Sequence, residues 1–271
     1  MKKILLLLQL FFCSVMAAFA QTEPIQQVRD SVLTEGKRLF RSEMASWHGT
    51  DLFLEKFKDR EKIGGYFSYE DAAGAACIFF STEESPKVIG TMRFDTSFNL
   101  SKATADLKVR EFTVLEKQYY QLRNAAYASI QGDTMIRQYK NTNLNLIPLI
   151  YGDHRKVYIL TATTRNDLLL FGNDYLLEFD ANFRATAKRR LHGSLIESPY
   201  GQKDKDGNQV VGAMHSHLPL YGDVITPTDL CTLMLYQRFT GWGQYMVVGR
   251  KYMSIWTAAD NNLAVIPVPE K

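Results

Sequence analysis

Residues 210–256 pass from strand to loop to capped helix and back to strand. No other part of the chain restricts the fold as much. Residues 210–217 (VVGAMHSH) have the composition of a strand. The polar turn QKDKDGN precedes them, with Asp206-Gly207 at its tip as a hairpin signal. In Thr226-Pro227-Thr228-Asp229-Leu230, Thr226 has the chemistry of an N-cap and Pro227 suits the first helical position. That predicts a helix over residues 226–239. Residues 245–256 then read as a strand pair around Gly249-Arg250-Lys251.

The rest of the chain supplies elements of both kinds. Ile25, Val28, Val32 and Leu39, with Gly36 on the same face, predict an amphipathic helix over residues 24–40, with Pro24 in its first turn. Residues 47–57 read either as a second short helix or as coil. Gly65-Tyr66-Phe67-Ser68-Tyr69, Cys77-Ile78-Phe79-Phe80 and residues 88–94 form three β-rich runs separated by turn residues, a three-stranded meander. Phe112, Leu115, Tyr119, Leu122 and Ala126 recur at spacings of three and four, which predicts a helix over 101–130 capped by Ser101. Residues 144–151, 157–163, 175–179 and 184–196 read as strands. The expected class is α+β: a mixed or antiparallel sheet with flanking helices. Three sections are expected: a signal peptide over 1–20, a helix–meander–helix region over 21–132, and an α/β domain over 133–271.

MKKILLLLQLFFCSVMAAFA opens the chain. Two lysines precede an apolar run, residues 4–16, broken only by Gln9 and Ser14, and Ala18-Phe19-Ala20 puts small residues where a signal peptidase reads them. This is the pattern of a secretory signal peptide cut before Gln21. The run is short for a membrane anchor. The expected protein is therefore exported, to a periplasm or beyond, with no integral membrane segment after cleavage. The whole chain has 32 Lys+Arg and 29 Asp+Glu, a net charge of +3. Removing residues 1–20 takes Lys2 and Lys3 and no acid, which leaves +1. A near-neutral chain argues against a nucleic-acid groove. Cys77 and Cys231 survive cleavage. One disulfide between them is arithmetically possible in an oxidising compartment, but both sit in apolar runs, which favours two separate buried thiols, and they are too few for a cysteine zinc site.

The chemistry concentrates at His215-Ser216-His217. Side chains two apart on a strand share a face, so two imidazoles can occupy two corners of a tetrahedral Zn²⁺ site. Asp229, in the first turn of the following helix, can return as a third ligand, with water at the fourth corner. His192 could line the same cleft if its strand neighbours residues 210–217. Taken alone, Thr226 to Asp229 is also a capping box that needs no metal. No P-loop, dinucleotide fingerprint or nucleophile elbow is present.

AMHSHLPLYGDVITPTDLCTLMLY resembles the zinc core of the JAMM (JAB1/MPN) metalloprotease family. That pattern is His-x-His, a loop of about seven residues, Ser, two residues, then Asp at a helix start. The likeness covers roughly residues 170–260. It implies a JAMM-like core in the C-terminal half, with Zn²⁺ held by His215, His217 and Asp229. It also implies a hydroxyl supporting the oxyanion, Thr226 standing in for Ser, and an upstream glutamate as general base. Glu178 maps to that base. If the strand is aligned by its apolar residues, Asp174 or Asn173 falls there instead, and Glu197 is closer in sequence. The interval from His217 to Asp229 is one residue longer than the family's. The implied activity is zinc-dependent hydrolysis of a peptide or isopeptide bond in a peptide or protein substrate. The alternative is a non-catalytic exported binding or structural protein that keeps the fold and has lost the base.

Overall fold

The computed structural model describes residues 2–269, with side chains from residue 24 onward. The side chains of the expected signal peptide lie outside the described residues. Among the described residues no helix is long and apolar enough to cross a membrane.

The chain is α+β, as its pattern predicts. Helix α1 (Lys2–Lys56) is followed by a meander of β1 (Ile63–Asp71), β2 (Gly74–Ser81), β3 (Val88–Phe94) and a short edge strand β4 (Thr104–Asp106). Helix α2 (Val114–Ile130) leads to an antiparallel sheet of β5 (Thr142–Tyr151), β6 (His154–Thr163), β8 (Tyr175–Phe179) and β9 (Ala185–Arg190), in that spatial order. Two strands outside it, β7 (Leu168–Gly172) and β10 (Leu195–Pro199), pair antiparallel with each other. A last sheet joins β11 (Gly212–Ser216), β12 (Gln244–Val248), β13 (Tyr252–Thr257) and β14 (Asn262–Pro267), with α3 (Pro227–Thr240) between β11 and β12. The β11–β12 pair is parallel, as a strand–helix–strand crossover requires, and the other pairs are antiparallel.

Every residue of β2 is buried, because helices cover both faces of its sheet. Cys77 and Phe79 pack on Ala45 and Phe53 of α1. Ala76, Ile78 and Phe80 point the other way, toward Tyr119 of α2. The same logic sandwiches β6. Tyr158 and Leu160 meet Leu39 of α1 and Cys231 of α3, whereas Val157 and Ile159 meet Leu122 and Ala126 of α2. Helix α2 thus lies between two sheets. Helix α1 also reaches the last core, where Ile25, Val32 and Leu33 pack beside Leu230, Leu233, Tyr245 and Trp256. Cys77 and Cys231 are free and buried.

Several boundaries differ from the sequence expectation. Helix α1 runs unbroken from residue 47 to its end at Lys56 and contains Pro24 rather than starting at it. Its length follows from burial that moves along it, from Leu39 in one core to Phe53 in the next. Where α1 crosses α3, a Cβ on Gly36 would stand 2.8 Å from Leu230 Cβ, so only glycine allows that approach. Ser101 does not cap α2. Its backbone N–H and hydroxyl both bond Asn99 in a short turn. The helix begins at Thr113, whose hydroxyl accepts from Glu116 N while the Glu116 carboxylate accepts from Thr113 N, a reciprocal cap. Arg110 clamps the same carboxylate at 2.6 and 2.7 Å.

Candidate metal centre

The expected strand over 184–196 is broken at the point that matters. Leu191 donates its N–H to Asp174 O, and the chain turns between β9 and β10. His192 lies in that turn and is buried. It therefore arrives on a turn, not on a strand beside β11. Asp174 comes from the turn between β7 and β8, where Gly172 (φ +75) and Asn173 (φ 50) are left-handed. A Cβ on Gly172 would strike Ser194 O at 2.2 Å and His192 Cβ at 3.0 Å. Glycine is required there for both reasons.

From the other side, β11 presents His215 and the chain just beyond it His217, whose N–H bonds Val248 O at 2.9 Å. Helix α3 supplies Asp229 in its first turn. The Thr226 hydroxyl accepts from Asp229 N (3.1 Å) and donates to Asp229 Oδ2 (2.8 Å), and Thr226 N–H donates to the same oxygen (3.0 Å). This cap fixes the rotamer of the carboxylate.

Four side chains converge. One donor atom from each of His192, His215, His217 and Asp229 lies within 4.8 Å of all the others. His217 Nε2 is 2.9 Å from His192 Nε2 and 3.0 Å from His215 Nε2. Asp229 stands 3.2 Å from His192 Nε2, 3.4 Å from His217 Nε2 and 3.9 Å from His215 Nε2. A tetrahedral Zn²⁺ with bonds of about 2.0–2.2 Å separates its ligands by roughly 3.3–3.5 Å, which is the middle of this range. All four residues are buried. Asp229 Oδ1 and His217 Nδ1 are buried without a hydrogen-bond partner. An orphaned carboxylate oxygen among three imidazoles fits a divalent cation.

Further groups hold the ligands. Asp174 Oδ1 pairs with His192 Nδ1 at 2.7 Å, and its other oxygen takes the Thr228 hydroxyl, itself 2.8 Å from Thr226 Oγ1. The Tyr245 hydroxyl pairs with His215 Nδ1 at 3.0 Å. These contacts leave Nε2 of both rings aimed inward, the carboxylate–histidine–metal arrangement that tunes ligand basicity. Burial opposes charge on His192, but the flanking carboxylates of Asp174 and Asp229 outweigh it and push its pKa up to about 11. Burial pulls His215 down to about 4, helped by the two neighbouring imidazoles. Burial alone would raise Asp229, yet the adjacent His192 charge, with the imidazoles of His217 and His215 beside it, holds it well below the usual carboxylate range.

Of the residues singled out in the sequence, His215, His217 and Asp229 are brought together. Thr226 is at the centre too, but its hydroxyl is committed to Asp229 and Thr228, so it positions a ligand and has no hydrogen to spare for an oxyanion. Glu178 is not brought to the cluster. It sits in mid-strand on β8, opposite Lys156 and Ala187, with Arg189 at 4.0 Å. Glu197 is equally remote, on exposed β10 with Arg165 at 3.8 Å. Asp174 does reach the site, as the partner of His192, and both of its oxygens are engaged. Thr228 and Tyr245 carried no sequence signal beyond their helix-cap and strand positions.

No known protein family, no curated protein and no solved structure matches this chain.

Proposed function

We propose that this chain is an exported zinc protein with a JAMM-like core whose metal is closed off by its own histidine, making it a binding or structural protein and not a resting hydrolase. One observation carries the reading. His192 Nε2 stands at the corner where a catalytic zinc would keep water, and Asp174 anchors it there from behind. Four protein ligands are the mark of structural zinc sites, whereas catalytic sites keep a corner open. Three imidazole nitrogens and one carboxylate suit zinc better than a hard cation such as Mg²⁺ or Ca²⁺, which prefers oxygen. Zinc would tie three separate stretches of chain to one point: the β9–β10 turn, the end of β11 and the start of α3.

A second reading has its own support. A narrow cleft of about 30 Å³, lined by His192, Gly193, Ser216, His217, Leu218 and Tyr221, reaches two of the imidazoles. Withdrawal of His192 through this cleft would expose a three-ligand zinc able to activate water for cleavage of a peptide or isopeptide bond.

The deciding experiment measures zinc per chain in protein starting at Gln21, alongside His192→Ala, His215→Ala and Asp229→Ala. One zinc per wild-type chain, with loss of affinity in each variant, is expected. Equal substoichiometric zinc in all four proteins would remove the proposal. Peptide cleavage by wild type and its survival in His192→Ala would favour the second reading.

A further inference from the structure

A second cavity, of about 390 Å³, is lined by none of the four metal-centre side chains. Helix α1 contributes Glu43, Trp47 and Asp51 to its wall, β1 contributes Tyr66, β5 contributes Asn145, and α3 contributes Tyr236. Its volume is within the range of about 300–1,000 Å³ that small-molecule sites occupy. Its chemistry is one-sided. Two carboxylates and three aromatic rings line it, and among the described lining residues there is no lysine, arginine or histidine.

Glu43 is the unusual member. Its Oε2 accepts from Asn145 Nδ2 at 3.0 Å, and among the described residues it makes no ion pair. Burial pushes its pKa up to about 7, with only that hydrogen bond working against the shift. A carboxyl withdrawn from water without a cation is costly to keep charged. Glu35, one helical face away on α1, shows how the fold treats a carboxylate it means to pair: Lys156 stands 2.9 Å from it and two tyrosines donate to it. Glu43 has no such partner, and its side chain faces open volume. Aromatic faces attract cations through their quadrupole, so the rings of Trp47, Tyr66 and Tyr236 favour the same class of ligand. Anions are disfavoured by both acids. Exposed Asp51 at the wall adds attraction for a positive charge entering from solvent.

We infer that this cavity binds a small organic cation, with an alkylammonium group seated between Glu43 and the rings of Trp47, Tyr66 and Tyr236. The cavity shares no residue with the four metal ligands, so this site stands whether or not zinc is held.

The test uses the protein starting at Gln21, titrated calorimetrically at pH 8 with butylammonium, with 1-butanol as the neutral shape match and glucose as a neutral polyol. Saturable binding of butylammonium is expected, with no heat from 1-butanol or glucose at the same concentration. Glu43→Gln should weaken the amine at least tenfold. Trp47→Leu, at a ring 38% exposed, should weaken it several-fold, with folding of the variant checked by circular dichroism. Absence of butylammonium binding would overturn the inference. So would equal affinity for 1-butanol, binding of glucose alone, or unchanged amine affinity in both variants. Should Glu43→Gln fail to fold, Trp47→Leu decides alone.

Discussion

His192 Nε2 lies 2.9 Å from His217 Nε2, although one residue sits on the β9–β10 turn and the other just beyond β11. Two imidazole nitrogens that close need something positive between them, either a shared proton or a metal ion. With Asp174 on its far nitrogen and Asp229 beside the near one, His192 is held as an imidazolium. Its proton occupies the place that a cation would take. Exchange of that proton for Zn²⁺ adds one unit of positive charge, enough to offset both the Asp174 and the Asp229 carboxylates.

That exchange has a pH signature. Seating zinc must displace the Nε2 proton of His192, so binding releases protons and strengthens with rising pH. Zinc titration in two buffers of different ionisation enthalpy, between pH 6 and 8, should show the release directly. Equal heats in both buffers would mean that no proton leaves.

Asp174→Asn keeps a hydrogen-bonding side chain behind His192 and removes its charge. Loss of such a supporting group costs about 10- to 100-fold in metal affinity. The expected variant still binds one zinc per chain, only more weakly, in a competition assay with a chromophoric chelator. Glu178→Gln serves as the control, because Glu178 lies outside the converging cluster and its carboxylate pairs with Arg189, and its zinc affinity should match wild type.

How far the centre could be read from the amino-acid order depends on distance along the chain. Thr226, Pro227 and Asp229 were legible because a helix cap is a local device, and His215 with His217 because strand periodicity puts them on one face. His192 was visible only as a candidate neighbour. Its placement comes from the Leu191 N–H bonding Asp174 O, a long-range contact that breaks an otherwise continuous β-rich run. Ser101 misled for a related reason. The apolar stripe begins only at Phe112; residues 104–106 pair with the edge of β3, and Thr113 with Glu116 supplies the cap. Strand β7 went unseen because its partner β10 lies beyond the next two strands.

Glu35, buried, and Glu43, half-buried, both on α1, should pull stability in opposite directions with pH. At Glu35 burial raises the pKa, but hydrogen bonds from Tyr151, Lys156 and Tyr158 and the Lys156 charge outweigh it, and the folded value is lowered. Its contribution is complete above its unfolded pKa, about 4.5, and is lost as pH falls through the lower folded value. Removing one partner of such a pair typically costs about 3–5 kcal/mol, so Glu35→Ala should lower the denaturation midpoint strongly at pH 7 and far less near pH 3. Urea unfolding at both pH values checks this.

Glu43 runs the other way. Its folded pKa, about 7, is above the unfolded one, so the folded state holds the proton more tightly. Stability from this group is therefore complete below about pH 4.5 and falls as pH rises toward 7, at up to about 1.4 kcal/mol per unit. Water reaching the cavity reduces that slope, which makes about 3 kcal/mol an upper bound. Tyr66, Cys77 and Cys231 feel the Glu43 charge, and burial raises all three above their ordinary values, so they stay neutral over this range. Glu43→Gln keeps the contact with Asn145 without the charge. It should match wild type at pH 5 and exceed it at pH 8, by one to a few kcal/mol in urea unfolding. Equal stability of the two proteins at pH 8 would mean that the Glu43 carboxylate already has its counter-charge inside the fold.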